Sequence, residues 1–136
     1  MFENIKNIMK DGDAKNKKNK ILVIDGMNLF IRSYAANPSV NSNGEHMGGL
    51  LGSLMGIGSF VEMFKPDKCV VVFDGKDGSK RRRTIYPDYK QNRGNGKGFR
   101  FNRPEHLELI PDEDIEKNFT TQLSKLLELL RMLPTA

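Results

Sequence analysis

Two short apolar runs rich in β-branched residues stand out along the chain, residues 21–24 (ILVI) and 69–73 (CVVVF). Each run ends in Asp-Gly, at residues 25–26 and 74–75. Continuous apolar runs of this length are typical of fully buried strands, and Asp-Gly indicates a tight turn after each strand. The segment between the runs is too long for a hairpin and has helical periodicity. We therefore expect two parallel neighbouring strands joined by a crossover, within an α/β fold.

Two further stretches have helical spacing, residues 28–36 and about 113–133. Asn28 is the predicted N-cap of the first helix, and Pro38 prevents its continuation. In the last stretch Phe119 and a series of leucines recur at helical spacing, and acidic residues suit its positive N-terminal end.

Residues 48–65 are apolar enough to raise the question of a membrane span. The uncharged part is 15 residues long, shorter than the ~20 residues that a spanning helix needs. Gly48, Gly52 and Gly56 recur at every fourth position. We interpret them as a stripe that lets a helix of a soluble protein lie close against the sheet, which offsets the ~1 kcal/mol of helix propensity that each glycine costs. No membrane association is expected.

The two aspartates that follow the strands are the first candidate site. The carboxyl ends of parallel strands meet at one edge of the sheet, where ligands of open α/β sheets bind. Asp25 and Asp74 should therefore lie close together and repel each other unless a cation sits between them. Oxygen ligands of this kind suit Mg²⁺ or Mn²⁺. A haloacid-dehalogenase-type phosphatase would need a second carboxylate two places after the first, where this chain has Met27.

The net charge of +5 is unevenly distributed along the chain. Residues 76–103 contain ten Lys or Arg against two acids, which indicates a polyanionic partner. Within this stretch, residues 93–103 are rich in glycine and predict a flexible basic loop. We interpret residues 1–20 as a basic N-terminal arm, whose first ten residues have the spacing of a short helix with Phe2, Ile5 and Met9 on one side.

One cysteine and two histidines complete the reactive side chains. Cys69 lies within a predicted strand, where apolar surroundings raise a thiol's pKa and disfavour a nucleophilic role. A single cysteine also excludes an internal disulfide and favours a reducing compartment. No metal-binding spacing accompanies His46 or His106, and we expect both on the surface.

Cations alternate with aromatic residues in residues 81–93 (RRRTIYPDYKQNR). Arg and Lys are suited to phosphate contacts, and a splayed base can stack on Tyr. The alternative is a solvated basic face without a specific ligand. Arg32 lies about two helical turns after Asp25, and either phosphate binding or a structural salt bridge accounts for it.

These segments together resemble a known family. VIDGMNLFIRSYAANP, the glycine-rich GGLLGSLMGIGSFVEMFKPDKCVVVFDGK and RRRTIYPDYKQNR are similar to the N-terminal half of the 5′ nucleases. That family comprises bacteriophage 5′→3′ exonucleases and flap endonucleases and the similar domain of bacterial DNA polymerase I. The resemblance implies that residues 21–136 form the N-terminal portion of a PIN-like domain. Such a domain has a parallel sheet with flanking helices, incomplete here at its C-terminus.

The resemblance also implies roles for individual residues. Asp25 and Asp74 match metal-binding aspartates, Arg32 and Lys90 match basic residues that approach the scissile phosphate, and Tyr89 is the aromatic beside that lysine. The nucleic-acid-binding residues implied are Arg81, Arg82, Arg83, Arg93, Lys97, Arg100 and Arg103. The implied activity is phosphodiester hydrolysis near 5′ ends or flaps of DNA, or of RNA primers in RNA–DNA hybrids. It uses two Mg²⁺ or Mn²⁺ ions in the cytoplasm of a bacterium or phage-infected cell.

The chain departs from the family pattern after residue 134. The family continues with a Glu-Ala-Asp-Asp-type cluster, a further Asp pair and a helix–turn–helix-like element, none of which is present. We therefore expect a truncated or split form that needs a C-terminal fragment to supply the missing carboxylates. The alternatives are a non-catalytic nucleic-acid-binding remnant of the same fold and a PIN-type ribonuclease that prefers single-stranded RNA.

Overall fold

A computed structural model describes residues 19–75, 78–88 and 105–134. Within these ranges the chain alternates between strand and helix before a long final helix. The elements are β1 (Ile21–Asp25), α1 (Gly26–Ala36), α2 (Gly48–Phe64), β2 (Lys68–Val72), α3 (Lys80–Ile85), a 3₁₀ turn (Glu105–Leu107) and α4 (Asp112–Met132). None of the helices described is long and apolar enough to cross a bilayer.

β1 and β2 pair in parallel, as the sequence predicts. The register runs from Ile21 opposite Lys68 to Asp25 opposite Val72. At the amino end of the sheet, the Lys20 carbonyl accepts a hydrogen bond from the Asp67 backbone amide over 2.8 Å. The helices α1 and α2 form the crossover between the strands. The α/β architecture with a parallel sheet and flanking helices is therefore confirmed.

The prediction that both strands are fully buried is wrong for the part of the chain described. Ile24 is buried on the side of α1 and α2, but Val23 and Val70 on the opposite side are exposed. The reason is that the described helices pack on one face of the sheet only. Cys69 is likewise exposed on β2, although partial burial still raises the pKa of its thiol.

The glycine stripe of α2 packs against α1, which corrects the expectation that it would face the sheet. A Cβ added at Gly52 would lie 2.8 Å from the Ser33 Cβ, and one added at Gly56 would lie 3.1 Å from a Leu29 methyl carbon. A side chain at Gly52 would therefore displace its neighbour, and one at Gly56 would require the Leu29 side chain to move by a few tenths of an ångström. The stripe therefore holds the two crossover helices together.

The core forms where α4 crosses α1 and α2. Phe30 and Tyr34 of α1 are fully buried, and each meets the ring of Phe119 edge-on, with centroids 4.9 and 5.1 Å apart. Leu126 of α4 is also buried in this cluster. The helix predicted at about 113–133 is thus confirmed. Leu123 and Leu130 also pack against this cluster, whereas Leu133, just after the end of the helix, is 57% exposed.

His46 is buried, with 6% of its surface exposed, so the expectation of a surface residue is wrong. Its Nε2 lies 3.1 Å from the Tyr34 carbonyl, and its own carbonyl accepts hydrogen bonds from the side-chain amides of Asn118 and Gln122. The half-buried ring of His106 lies 5.1 Å away between centroids. His46 therefore joins the loop before α2 to α1 and α4.

Burial, together with the neighbouring His106, lowers the pKa of His46 below its ordinary value of 6.5. In the unfolded chain the imidazole takes up its proton at about pH 6.5, before the folded protein does. This histidine therefore stabilises the fold above that pH, and its contribution is lost as pH falls toward the lower folded pKa. We expect urea unfolding to give a lower free energy of unfolding at about pH 5.5 than at about pH 7.5.

His46→Gln keeps a polar side chain of similar reach. In this variant the difference in the free energy of unfolding between the two pH values should be smaller than in the unsubstituted protein. Both proteins are compared at each pH, so a lower overall stability of the variant does not affect the comparison. An equal drop in the two proteins would contradict the assignment.

Candidate functional site

Asp25 occupies the junction between β1 and α1. It is the last residue of the strand and the N-cap of the helix, and its Oδ1 accepts a hydrogen bond from the Asn28 backbone amide over 2.9 Å. The positive end of the helix dipole favours a carboxylate there. The prediction of Asn28 as N-cap and of a turn at Asp25-Gly26 is therefore wrong. The chain passes directly from strand to helix, and Asp25 is exposed.

Asp74 follows β2 at the same edge of the sheet. The register sets Asp25 opposite Val72, and Asp74 comes two residues later on an exposed segment. The chain then turns, with the Gly78 amide donating to the Gly75 carbonyl over 2.9 Å. A Cβ at Gly78 would lie 3.2 Å from Asp74 Oδ1, so this turn folds back against the carboxylate. The structure thus brings both predicted aspartates to one edge.

Gly26 and Phe73 position these aspartates, and sequence reasoning missed them. The two residues adjoin Asp25 and Asp74, and a Cβ added at Gly26 would lie 2.6–2.8 Å from atoms of the Phe73 ring. The half-buried ring therefore rests on the first turn of α1 and joins the ends of the two strands. The signal that could have revealed this pair is the Phe immediately before the second Asp-Gly.

Arg32 lies on α1, on the same helical face as Asp25 and about 10 Å further along the axis. Its side chain is exposed. No acidic residue in the described ranges forms an ion pair with it. The salt-bridge interpretation thus has no support among these residues, and the guanidinium faces the solvent on the site's side of the helix.

Arg81, Arg82 and Arg83 lie on the short helix α3, which begins soon after the turn that follows Asp74. The sequence did not predict this helix. All three residues are exposed. Six other predicted site residues lie outside the described residues: Tyr89, Lys90, Arg93, Lys97, Arg100 and Arg103.

The donor chemistry of the site fits a hard divalent cation, but the number of donors is small. Carboxylate oxygens are the ligands that Mg²⁺ and Mn²⁺ prefer, and the cap leaves Asp25 Oδ2 available. Within the described ranges, no group of three or more His, Cys, Asp or Glu is close enough to hold a metal. Asp25 and Asp74 would therefore contribute part of a coordination shell.

A large groove among the described residues lies elsewhere. Its volume is about 870 Å³, and it runs along α4 beside Met47 and Leu50 at the start of α2. None of the predicted site residues lines it. Among the described residues, the candidate site is an exposed edge of the sheet, defined by the charge of Asp25 and Asp74 and by the register of the strands.

The described structure is a parallel sheet with an aspartate at or just after the end of each strand and a basic helix after the second strand. A comparison with known protein families agrees with this arrangement. Residues 20–135 match the family described as the 5′-3′ exonuclease, N-terminal resolvase-like domain. The match covers most of the chain, including both strands and both aspartates. The chain belongs to this family.

Individual relatives agree with the family match. The chain is 33% identical over 111 residues to a 5′-3′ exonuclease of Bacillus subtilis, an alignment that covers 77% of this chain and 34% of that protein. It is 35% identical over 77 residues to the flap endonuclease Xni of Shewanella denitrificans, covering 55% of this chain and 28% of that protein. The chain thus spans about a third of the length of the curated relatives it matches. No solved structure matches it significantly.

Substituting Gly26 should disturb the edge of the sheet. Gly26→Ala places a methyl group inside contact distance of the Phe73 ring, which must shift together with the chain on either side of it. We expect the free energy of unfolding in urea to fall by about 1–3 kcal/mol.

The matched control is Gly58→Ala, because an added Cβ at this glycine of α2 meets no atom within 4 Å. It should be neutral or stabilise the protein by up to about 1 kcal/mol through helix propensity. A loss of stability in Gly58→Ala as large as that in Gly26→Ala would contradict the role given to the contact.

Proposed function

We propose that this chain is the N-terminal part of a divalent-metal-dependent 5′ nuclease. The observation that carries the proposal is the parallel register, since it sets Asp25 opposite Val72 and thereby Asp74 at the same edge. Family membership adds that the relatives are named as a 5′-3′ exonuclease and flap endonucleases. The proposed substrate is DNA with a 5′ flap or 5′ end, or the RNA strand of an RNA–DNA hybrid, and the proposed location is the cytoplasm.

Asp25 and Asp74 would hold Mg²⁺ or Mn²⁺, two ions when the carboxylate set is complete. When bound, the metal would supply a nucleophilic water and neutralise charge on the phosphate. The remaining ligands would come from a C-terminal polypeptide, because the described part of this chain offers no third carboxylate. The cap hydrogen bond from Asn28 fixes the orientation of the Asp25 carboxylate before any ion binds.

The cationic residues would bind and orient the nucleic-acid strand. Arg32 extends from the site's side of α1 and carries a permanent charge that would hold the phosphate beside the carboxylates. Lys90 would approach the scissile phosphate and Tyr89 would stack on a base beside it. The nucleic-acid strand would be bound by the arginines of α3 together with Arg93, Lys97, Arg100 and Arg103.

Metal binding tests the two carboxylates without relying on activity. Mn²⁺ titrations monitored by electron paramagnetic resonance should show affinity reduced at least about tenfold in Asp25→Asn and in Asp74→Asn, because each loses one anionic ligand. Asp67→Asn is the matched control, since Asp67 lies just before β2, at the opposite end of the sheet. The side-chain oxygen of the introduced asparagine can still accept the hydrogen bond that the Lys20 backbone amide donates to Asp67. Equal affinity in all four proteins would refute the site.

Cleavage of 5′-flap DNA with Mg²⁺ or Mn²⁺ tests the activity, with the chain alone and mixed with any polypeptide encoded beside it. We expect metal-dependent cleavage that Asp25→Asn and Asp74→Asn abolish. DNA affinity should also fall steeply as the salt concentration rises. Arg81→Ala and Arg83→Ala should each make the plot of log affinity against log salt concentration less steep, by the amount that corresponds to about one phosphate contact.

A second candidate function is nucleic-acid binding without catalysis. The observation that favours it is that the described residues contribute only two carboxylates to the site. This alternative predicts salt-sensitive binding, no cleavage in either arrangement, and no effect of Asp25→Asn or Asp74→Asn on DNA affinity. A marked preference for cutting single-stranded RNA would instead indicate a PIN-type ribonuclease.

A further inference from the structure

The end of α3 presents an aromatic and an aliphatic side chain to the solvent, beside the arginines of that helix. Tyr86 is 59% exposed and Ile85 is 76% exposed. Among the described residues, neither belongs to the hydrophobic cluster in which α4 packs on α1 and α2. A large aromatic surface therefore lies outside the described core, where a partner molecule can reach it.

The backbone at Tyr86 is held from both sides. Its amide donates a hydrogen bond to the Arg82 carbonyl over 2.9 Å, and its own backbone is extended, with φ −135° and ψ 95°. Pro87 follows, and a residue before proline is restricted to extended conformations. The ring therefore leaves the chain from a defined position, so a ligand that binds it has little backbone to order.

Two arginines precede Tyr86 by one helical turn. Arg82 and Arg83 lie four and three residues before it, in the last turn of α3, and both are exposed. Residues at these spacings are neighbours on a helix surface, with Cβ atoms about 5–6 Å apart. The hydrogen bond to Arg82 keeps Tyr86 on this turn. Cationic side chains and an aromatic ring are therefore adjacent on one exposed turn.

This combination of charge and aromatic surface fits a nucleotide. Residues 80–88 carry four cations, Lys80 to Arg83, against the single acid Asp88, so the segment attracts a polyanion. A guanidinium binds phosphate through paired N–H donors, and an aromatic ring offers a flat surface on which a base can stack. Because neighbouring base pairs cover both faces of each base in a duplex, only an unpaired base can use the ring.

We propose that Tyr86 stacks on an unpaired base of a nucleic-acid strand whose phosphates Arg82 and Arg83 bind. The inference rests on the proposed function and deepens it. It gives the segment after Asp74 a preference for single-stranded over duplex nucleic acid, which the arginines alone would not supply.

Two DNA strands of equal length and charge test the stacking contact, one of thymidine nucleotides and one that is abasic at every position. Binding is measured by fluorescence anisotropy in EDTA, so that no metal-dependent cleavage interferes. Tyr86→Ala should weaken binding of the thymidine strand at least about fivefold, the lower end of what one stacked base contributes. The same variant should bind the abasic strand as tightly as the unsubstituted protein does, because that strand has no base to stack.

The salt dependence and two further variants separate stacking from other contacts. Tyr86→Ala should lower the affinity for the thymidine strand by the same factor at every salt concentration, because it removes no phosphate contact. Tyr86→Phe keeps the aromatic ring and should retain the affinity. Ile85→Ala is the matched control, because it removes a more exposed apolar side chain that has no aromatic face, and it should leave the affinity unchanged.

Three outcomes would overturn the inference while the proposed function stands. The first is unchanged binding of the thymidine strand by Tyr86→Ala, and the second is an equal loss on both strands, which would mean that the ring acts through the fold of α3. The third is a loss in Ile85→Ala as large as that in Tyr86→Ala, which would indicate a general apolar contact. Failure of the unsubstituted protein to bind either strand would instead contradict the proposed function itself, and the stacking role with it.

Discussion

The parallel hydrogen-bonded register of β1 with β2 is the constraint on which the rest of the structure depends. It sets Asp25 opposite Val72, and it puts Ile24 under the helices and Val23 on the opposite face. Side chains alternate along a strand, so a slip of β1 by one residue would exchange these two faces. Asp25 would then lie on the side of the sheet that the crossover helices cover.

The helical layer holds this register through contacts that allow little displacement. Glycines of α2 bring its backbone close to α1, and the aromatic rings of Phe30 and Tyr34 lock α1 to α4 through Phe119. The carbonyl of His46 accepts hydrogen bonds from two side chains of α4, which fixes the loop that precedes α2. α1 therefore has a defined position, and Asp25 is at its N-terminus.

Features that follow from local periodicity could be predicted from the sequence. The apolar runs predicted the two strands, and the leucine spacing predicted α4. Because the carboxyl ends of parallel strands lie at one edge of a sheet, the two aspartates could also be predicted to lie at that edge. The resemblance to 5′ nucleases agreed with the family that residues 20–135 match.

Features that depend on tertiary partners could not be predicted. A glycine stripe identifies the close-packing side of a helix but not what it contacts, and α2 packs on α1 rather than on the sheet. His46 lies in a polar loop of the sequence, yet distant residues of α4 bury it. Asp25 proved to be a helix cap because the chain enters α1 without a turn. The contact between Gly26 and Phe73 joins residues far apart in sequence, and the Phe before the second Asp-Gly does not by itself identify its partner.

The central claim is that one edge of the sheet presents two carboxylates to a shared divalent cation. Anomalous diffraction from crystals of this chain grown with Mn²⁺ tests it most directly. We expect an anomalous peak between the side chains of Asp25 and Asp74, within coordinating distance of an oxygen of each. Mn²⁺ bound only at other positions, with the two carboxylates directed away from each other, would contradict it.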